Sequence, residues 1–250
     1  MRRYRPAVLL LLVGAAVLRI SLFSDLYLRY VQTGLRPYLI ASGMLLGLLG
    51  LVTAGMATHA ARDGALSADG DAHPDEDAHD HGHSHPGGPR FAWLLTLPAA
   101  ALLLFPPPAL GSYSAAREDA QHAAEGVGAF PALPAGDPVD LSVAAFSSRA
   151  IYDSGHSLKG RTVRLTGFVA HADDGIWYVT RLLVSCCAAD ATTSKVQVRG
   201  ADAPETDTWV TVTGTWHPKG RLGSSAAWPP LLDARTVRQV AEPSDPYEKR

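Results

Sequence analysis

A helical membrane region followed by an all-β domain is the fold class this sequence predicts, and three observations predict it. Apolar runs nearly free of charge fill the first part of the chain. A His- and Asp-rich stretch interrupts them. After Pro138 the apolar residues fall into a period of two, the spacing of half-buried strands.

The first run, Pro6 to Phe23, carries a single charge, Arg19, and the second, Tyr38 to Thr58, carries none. Each is close to the ~20 residues a helix needs to cross the hydrocarbon core. A third run, Phe91 to Leu110, is interrupted by Pro98 and by Pro106–Pro108. Proline removes a backbone donor, so a kink at Pro98 and a helix end near Phe105 are expected. A cleaved signal peptide is the rival for the first run, with Arg2, Arg3 and Arg5 as its basic start. The long apolar core and the lack of an A-x-A site after Phe23 weigh against it. Arg19 reads as an interfacial anchor near the end of its helix.

The leading arginines place the N-terminus in the cytoplasm, by a modest margin because Arg29 and Arg36 lie in the next loop. Three crossings of the cell membrane then leave residues 59–90 inside and everything beyond 111 outside. Gly43 and Gly47 form a G-x-x-x-G, a close-packing face for a helix of this protein or of a partner.

Residues 72–88 read AHPDEDAHDHGHSHPGG. His79, His81, His83 and His85 alternate, His73 lies upstream, and Asp75, Glu76, Asp77 and Asp80 are interleaved. Neutral imidazole suits zinc, nickel, copper and cobalt, and the carboxylates add hard oxygen donors. A strip without a fixed cage predicts moderate, poorly selective binding of zinc or another divalent transition metal. A plain solvated low-complexity loop is the competing reading.

Residues 111–137 are rich in Ala, Gly and Pro and predict a tether with a helical turn or two near Ala115–Ala124. From Pro138 onward five alternating segments are expected as strands: 160–171, 175–184, 194–200, 208–217 and 230–240. Asp140 to Arg149 reads as a short leading helix or strand. Five short strands with internal glycines suggest a small OB-like barrel, in which a Gly lets the first strand bend between sheets; a small sandwich is the alternative. The expected organisation is therefore two transmembrane helices in 1–58, a cytoplasmic loop in 59–90, a third helix in 91–110, a linker in 111–137 and a soluble β-domain in 138–250.

The net charge of −2 provides no basic field for nucleic acid, and residues 138–250 hold 13 Lys/Arg against 12 Asp/Glu. Trp177, Tyr178, Trp209, Trp216 and Trp228 are accordingly expected in packing rather than in base stacking.

The only cysteines, Cys186 and Cys187, are neighbours in SCCAAD. In a regular strand they point to opposite faces and cannot both line one site. A disulfide between them closes a strained ring. Burial as small apolar residues is one expectation. A metal site completed by other donors is another, with Asp190, His171, Asp173, Asp174 and His217 as candidates. A thiol enzyme is weakly indicated, since no C-x-x-C spacing and no basic neighbour lowers a thiol pKa.

Four segments carry a family resemblance: LKGRTVRLTGFV (158–169), CCAADA (186–191), WVTVTGTW (209–216) and EPSDPYE (242–248). Together with the helices and His-rich loop they resemble the YcgQ-like family of predicted permease subunits. The resemblance implies a multi-helix membrane permease as partner, a link to zinc supply and no established reaction. The stretch after CCAADA departs from it, reading TTSKVQV where members have an apolar run. The expected function is a non-enzymatic accessory membrane subunit linked to zinc, with His73, His79, His81, His83 and His85 as one ligand set and Cys186, Cys187 and Asp190 as an outer one. A membrane-tethered thiol enzyme and a purely structural module are the alternatives.

Overall fold

The structure, a computed structural model, describes residues 4–66, 104–105, 107–117, 130–153, 156–172, 175–220 and 224–249. The chain forms two units, Met1–Ser24 with Arg36–Pro108, and Asp25–Leu35 with Ala109–Arg250.

The first unit is built on α1 (Arg5–Leu22) and α2 (Arg36–Leu66). Pro6 sits in the first turn of α1, where a missing N–H costs nothing. Thr33–His59, 27 residues of mean hydropathy 2.0, is long and apolar enough to cross a membrane, whereas the apolar part of α1, Pro6–Leu22, is shorter. Among the described residues, then, one of the three expected spans meets that measure. Most of the third expected span, Phe91–Leu110, lies outside the described residues, and so does the His-rich stretch 72–88. Helix α2 itself runs past Thr58, where its apolar run ends, to Leu66.

The two helices pack antiparallel through glycine. A Cβ on Gly14 would stand 2.9 Å from both Gly43 O and Gly47 N, one on Gly43 2.9 Å from Leu18 Cγ, and one on Gly50 2.8 Å from Leu11 Cγ. The G-x-x-x-G face is therefore used within the protein's own helix pair, where backbones approach closely. Arg36 Nε donates to Ser21 O at 2.9 Å and satisfies a carbonyl at the end of α1. The other side of α2 leaves Met44, Leu45, Leu48, Leu51, Val52 and Met56 exposed.

The second unit contains the all-β sheet, with β1 (Val139–Asp140), β2 (Thr162–His171), β3 (Trp177–Val184), β4 (Thr192–Arg199), β5 (Trp209–His217), β6 (Leu231–Gln239) and β7 (Tyr247–Lys249). The five long strands fall where the alternation predicts. Their pairings close on themselves, β2–β5–β6–β4–β3 and back to β2, with β4 and β6 parallel and the rest antiparallel. Strand β2 can serve two partners because it bends. It pairs with β5 from Thr162 to Phe168 and with β3 from Phe168 to His171. Gly167 lies at the changeover, and a Cβ there would collide with the carbonyl of Thr180.

Helix α3 (Ser112–Arg117) precedes the sheet, and α4 (Val143–Tyr152) resolves the helix-or-strand alternative at 140–149. Ser142 caps α4 by accepting from Ala145 N. Glu248 on β7 adds a second cap, accepting from Val143 N at 2.7 Å and Ala144 N at 3.0 Å. Val143 and Phe146 of α4 join Val163, Leu165, Val179, Val196, Val210, Val212 and Leu232 in the main core. A smaller cluster of Ala115, Phe168, Leu182, Val184, Ala191 and Tyr247 lies on the other side of β2 and β3.

Candidate metal centre

Strand β3 ends at Val184, and the chain then turns through Ser185 and Cys186 into a single 3-10 turn, Ala188–Asp190, before β4. That turn decides the geometry of the cysteine pair. Cys186 has left the strand, so the alternation that would send neighbours to opposite faces no longer applies. The two Sγ atoms stand 3.5 Å apart. Cys186 is exposed and Cys187 half-buried. Neither is a small core residue, which corrects the expectation of burial as well as that of divergent side chains.

Asp190 holds the turn shut. One carboxylate oxygen accepts from Ser185 N at 2.9 Å and the other from Cys186 N at 2.8 Å. Its carboxyl is the third donor, and the two sulfurs and a carboxylate oxygen all lie within 4.8 Å of one another. A hydrogen bond to Asp190, and then one to Cys187, pushes the Cys186 thiol up to about 11. Burial raises the Asp190 carboxyl, but the amide bonds from Ser185 and Cys186 and the thiol outweigh it, and the net shift is downward.

The donor set fits a thiophilic divalent ion. Two thiolates at ~2.3 Å from a tetrahedral zinc lie about 3.8 Å apart, close to the spacing already present. Cys186 Sγ, Cys187 Sγ and an Asp190 oxygen are the donors that would hold such an ion.

The turn is also held by a segment remote in sequence. Val31 pairs with Cys187 as an isolated antiparallel bridge. Gln32 N donates to Cys186 O at 3.1 Å, and Ala188 N donates to Tyr30 O at 2.7 Å. The Gln32 side-chain amide donates to Val184 O. Below it, Tyr247 Oη donates to Arg29 O at 2.9 Å and accepts from Leu110 N at 3.1 Å. Residues 25–35, the segment that joins α1 to α2, thus belong to the β unit. Sequence reasoning missed this contact, because YVQTG carries no motif and its bonds are almost all backbone.

Of the other proposed ligands, His171 bonds Pro204 O at 2.9 Å, and His217 Nδ1 bonds Asp233 Oδ2 at 2.9 Å beside Arg199. Neither joins the cysteine cluster. Asp173, Asp174 and the histidines His73, His79, His81, His83 and His85 lie outside the described residues. Two of the five aromatics are seen in packing: Trp177 is buried with Nε1 donating to Ala201 O, and Trp209 meets Phe168 edge-on at 5.8 Å with the Arg181 guanidinium over its ring.

These features define an all-β domain, preceded in the chain by a pair of apolar helices, that carries a two-sulfur, one-carboxylate turn. Residues 145–248, nearly all of that domain, match the model of the DUF1980 C-terminal domain family. No curated protein matches the chain. Among solved structures, a chain from the crystal structure of the S. pombe Stn1-ten1 complex aligns over 43% of this chain and 80% of its own, with 12% identity and a TM-score of 0.24. At that score nothing about this chain follows from it.

Proposed function

We propose that the chain is an accessory subunit of a membrane permease of the YcgQ-like kind, with an OB-like barrel as its outer domain, and that its cargo is a divalent metal, zinc foremost. The observation that carries the metal assignment is the convergence of Cys186 Sγ, Cys187 Sγ and an Asp190 oxygen within 4.8 Å on an accessible turn. The cycle of pairings among β2, β5, β6, β4 and β3, with the bend at Gly167, supports the barrel. The apolar side of α2 supports a bilayer or helical partner.

The connector supports the three-span arrangement. A segment at one end of α2 belongs to the β unit, so a bilayer-crossing α2 requires a return crossing before Ala109. The run Phe91 to Leu110 has the length for it. The barrel and the connector would then share the outer side and the His-rich loop the inner, where it collects the ion. In the outer turn the thiols shed their protons on metal binding, and Asp190 supplies the oxygen donor. An enzyme reading is disfavoured by the Cys186 thiol, which is shifted away from the reactive thiolate.

Purification of the full chain from native membranes in mild detergent tests the class: recovery of a multi-helix partner is expected, and its absence overturns the subunit reading. Zinc bound per chain tests the site, with a decrease expected on Cys186→Ser or Cys187→Ser and no change overturning it.

A further inference from the structure

We infer that metal binding at the Cys186–Cys187–Asp190 turn is coupled to docking of residues 25–35, the segment that joins α1 and α2. The inference rests on the metal-handling reading of that turn and adds a regulation to it. Its basis is that the bonds positioning the two thiols are shared with the connector. In an extended strand the side chains of adjacent cysteines diverge. Here they converge to 3.5 Å because the backbone leaves β3 after Val184 and turns through Ser185 and Cys186, while Cys187 is extended. The carboxylate of Asp190 fixes that bend from inside the turn. From outside it is fixed by the Val31–Cys187 bridge, which consists of the two backbone bonds Gln32 N to Cys186 O and Ala188 N to Tyr30 O.

The connector has little slack through which to lose the signal. It runs from Asp25 to Leu35 between helices that end at Leu22 and begin at Arg36. Two short 3-10 turns, Leu26–Arg29 and Thr33–Leu35, occupy most of it. A second anchor, an Arg29–Glu242 ion pair at 3.9 Å together with the Tyr247 hydroxyl bond, holds its first half independently of the cysteines. The docked connector presents the sulfurs at nearly the separation a tetrahedral metal requires. Metal therefore favours the docked state, and docking favours metal by the same factor. Loading and release of the ion thereby act on the segment continuous with both helices.

The experiment uses the full chain in detergent, with Co(II) as the spectroscopic probe and Zn(II) in competition. Gln32→Pro deletes the amide donor to Cys186 and the side-chain donor to Val184 while leaving every metal donor in place. Gln32→Ala, a milder change, deletes the side-chain bond alone and guards against misfolding. Weakening of Zn(II) affinity by about fivefold or more is expected for Gln32→Pro, with a smaller loss for Gln32→Ala. Zn(II) should also slow amide hydrogen exchange at residues 30–33 in the wild type and leave it unchanged in Cys186→Ser/Cys187→Ser. Tight Zn(II) binding with unaltered exchange at 30–33, and equal affinity in folded Gln32 variants, would overturn the coupling and leave the metal site standing. Failure of the wild type to bind Co(II) or Zn(II) would overturn the metal site and the coupling with it.

Discussion

Replacing Asp190 by Asn in a Cys187→Ser background should make Cys186 a faster, not slower, nucleophile. Asp190 raises the Cys186 thiol by accepting a hydrogen bond from its protonated form, and Cys187 adds to the effect. With the thiol near 11, about one molecule in a thousand is thiolate at pH 8. Return to the ordinary value of 9.0 would increase thiolate about a hundredfold, and this is the upper limit, since the part of the shift due to Cys187 is already absent in this background. The less basic thiolate attacks more slowly, with a Brønsted coefficient of ~0.5 over that shift, so roughly tenfold of the gain is given back. The net expectation is an increase of up to about tenfold in the rate of maleimide or iodoacetamide labelling. The pH profile gives a second signature. Labelling should rise tenfold per pH unit to a higher break point with Asp190 present than in the Asn variant, the two differing by at most about two units. Unchanged or slower labelling, or the same break point in both proteins, would show that Asp190 does not control the thiol.

Glu248→Ala should destabilise the β-domain by about 3 kcal/mol, because it strips the ion-pair partner from buried Arg181 and the second cap from α4. Urea unfolding followed by tryptophan fluorescence measures it, and a loss under 1 kcal/mol would refute the role. Phe146→Ala empties a fully buried position and should cost about 3–5 kcal/mol in the same assay with zinc affinity intact. Gly167→Val places a side chain against the Thr180 carbonyl and should abolish the cooperative unfolding transition; a folded variant would show that β2 does not need glycine to change partners.

The strands were legible because a sheet with one buried face writes its period directly into the chain, as Val163, Leu165 and Val169 do. The bend at Gly167 was legible for a related reason, since a glycine inside an alternating strand has few other uses. The ligand trio was half-legible. Cys186, Cys187 and Asp190 are a plain cluster in the sequence, yet their convergence depends on a strand ending one residue before Ser185, and ends of elements are weakly encoded. The connector was not legible at all. Backbone bonds from Tyr30 and Gln32 leave no side-chain signature, and a contact between residues 31 and 187 obeys no local rule. The buried pair Arg181 and Glu248 also escaped notice, because charged residues in a strand and near a chain end look like surface.

The hydroxyl of Tyr247 spans 218 residues to reach the carbonyl of Arg29. At ~5–20 residues per second, the connector leaves the ribosome roughly 10–45 s before the tyrosine that will pin it. The helices on either side are thus made long before the β-domain can grip the loop between them. Assembly of this protein therefore has a built-in order at this bond, helices first and the tyrosine clasp last.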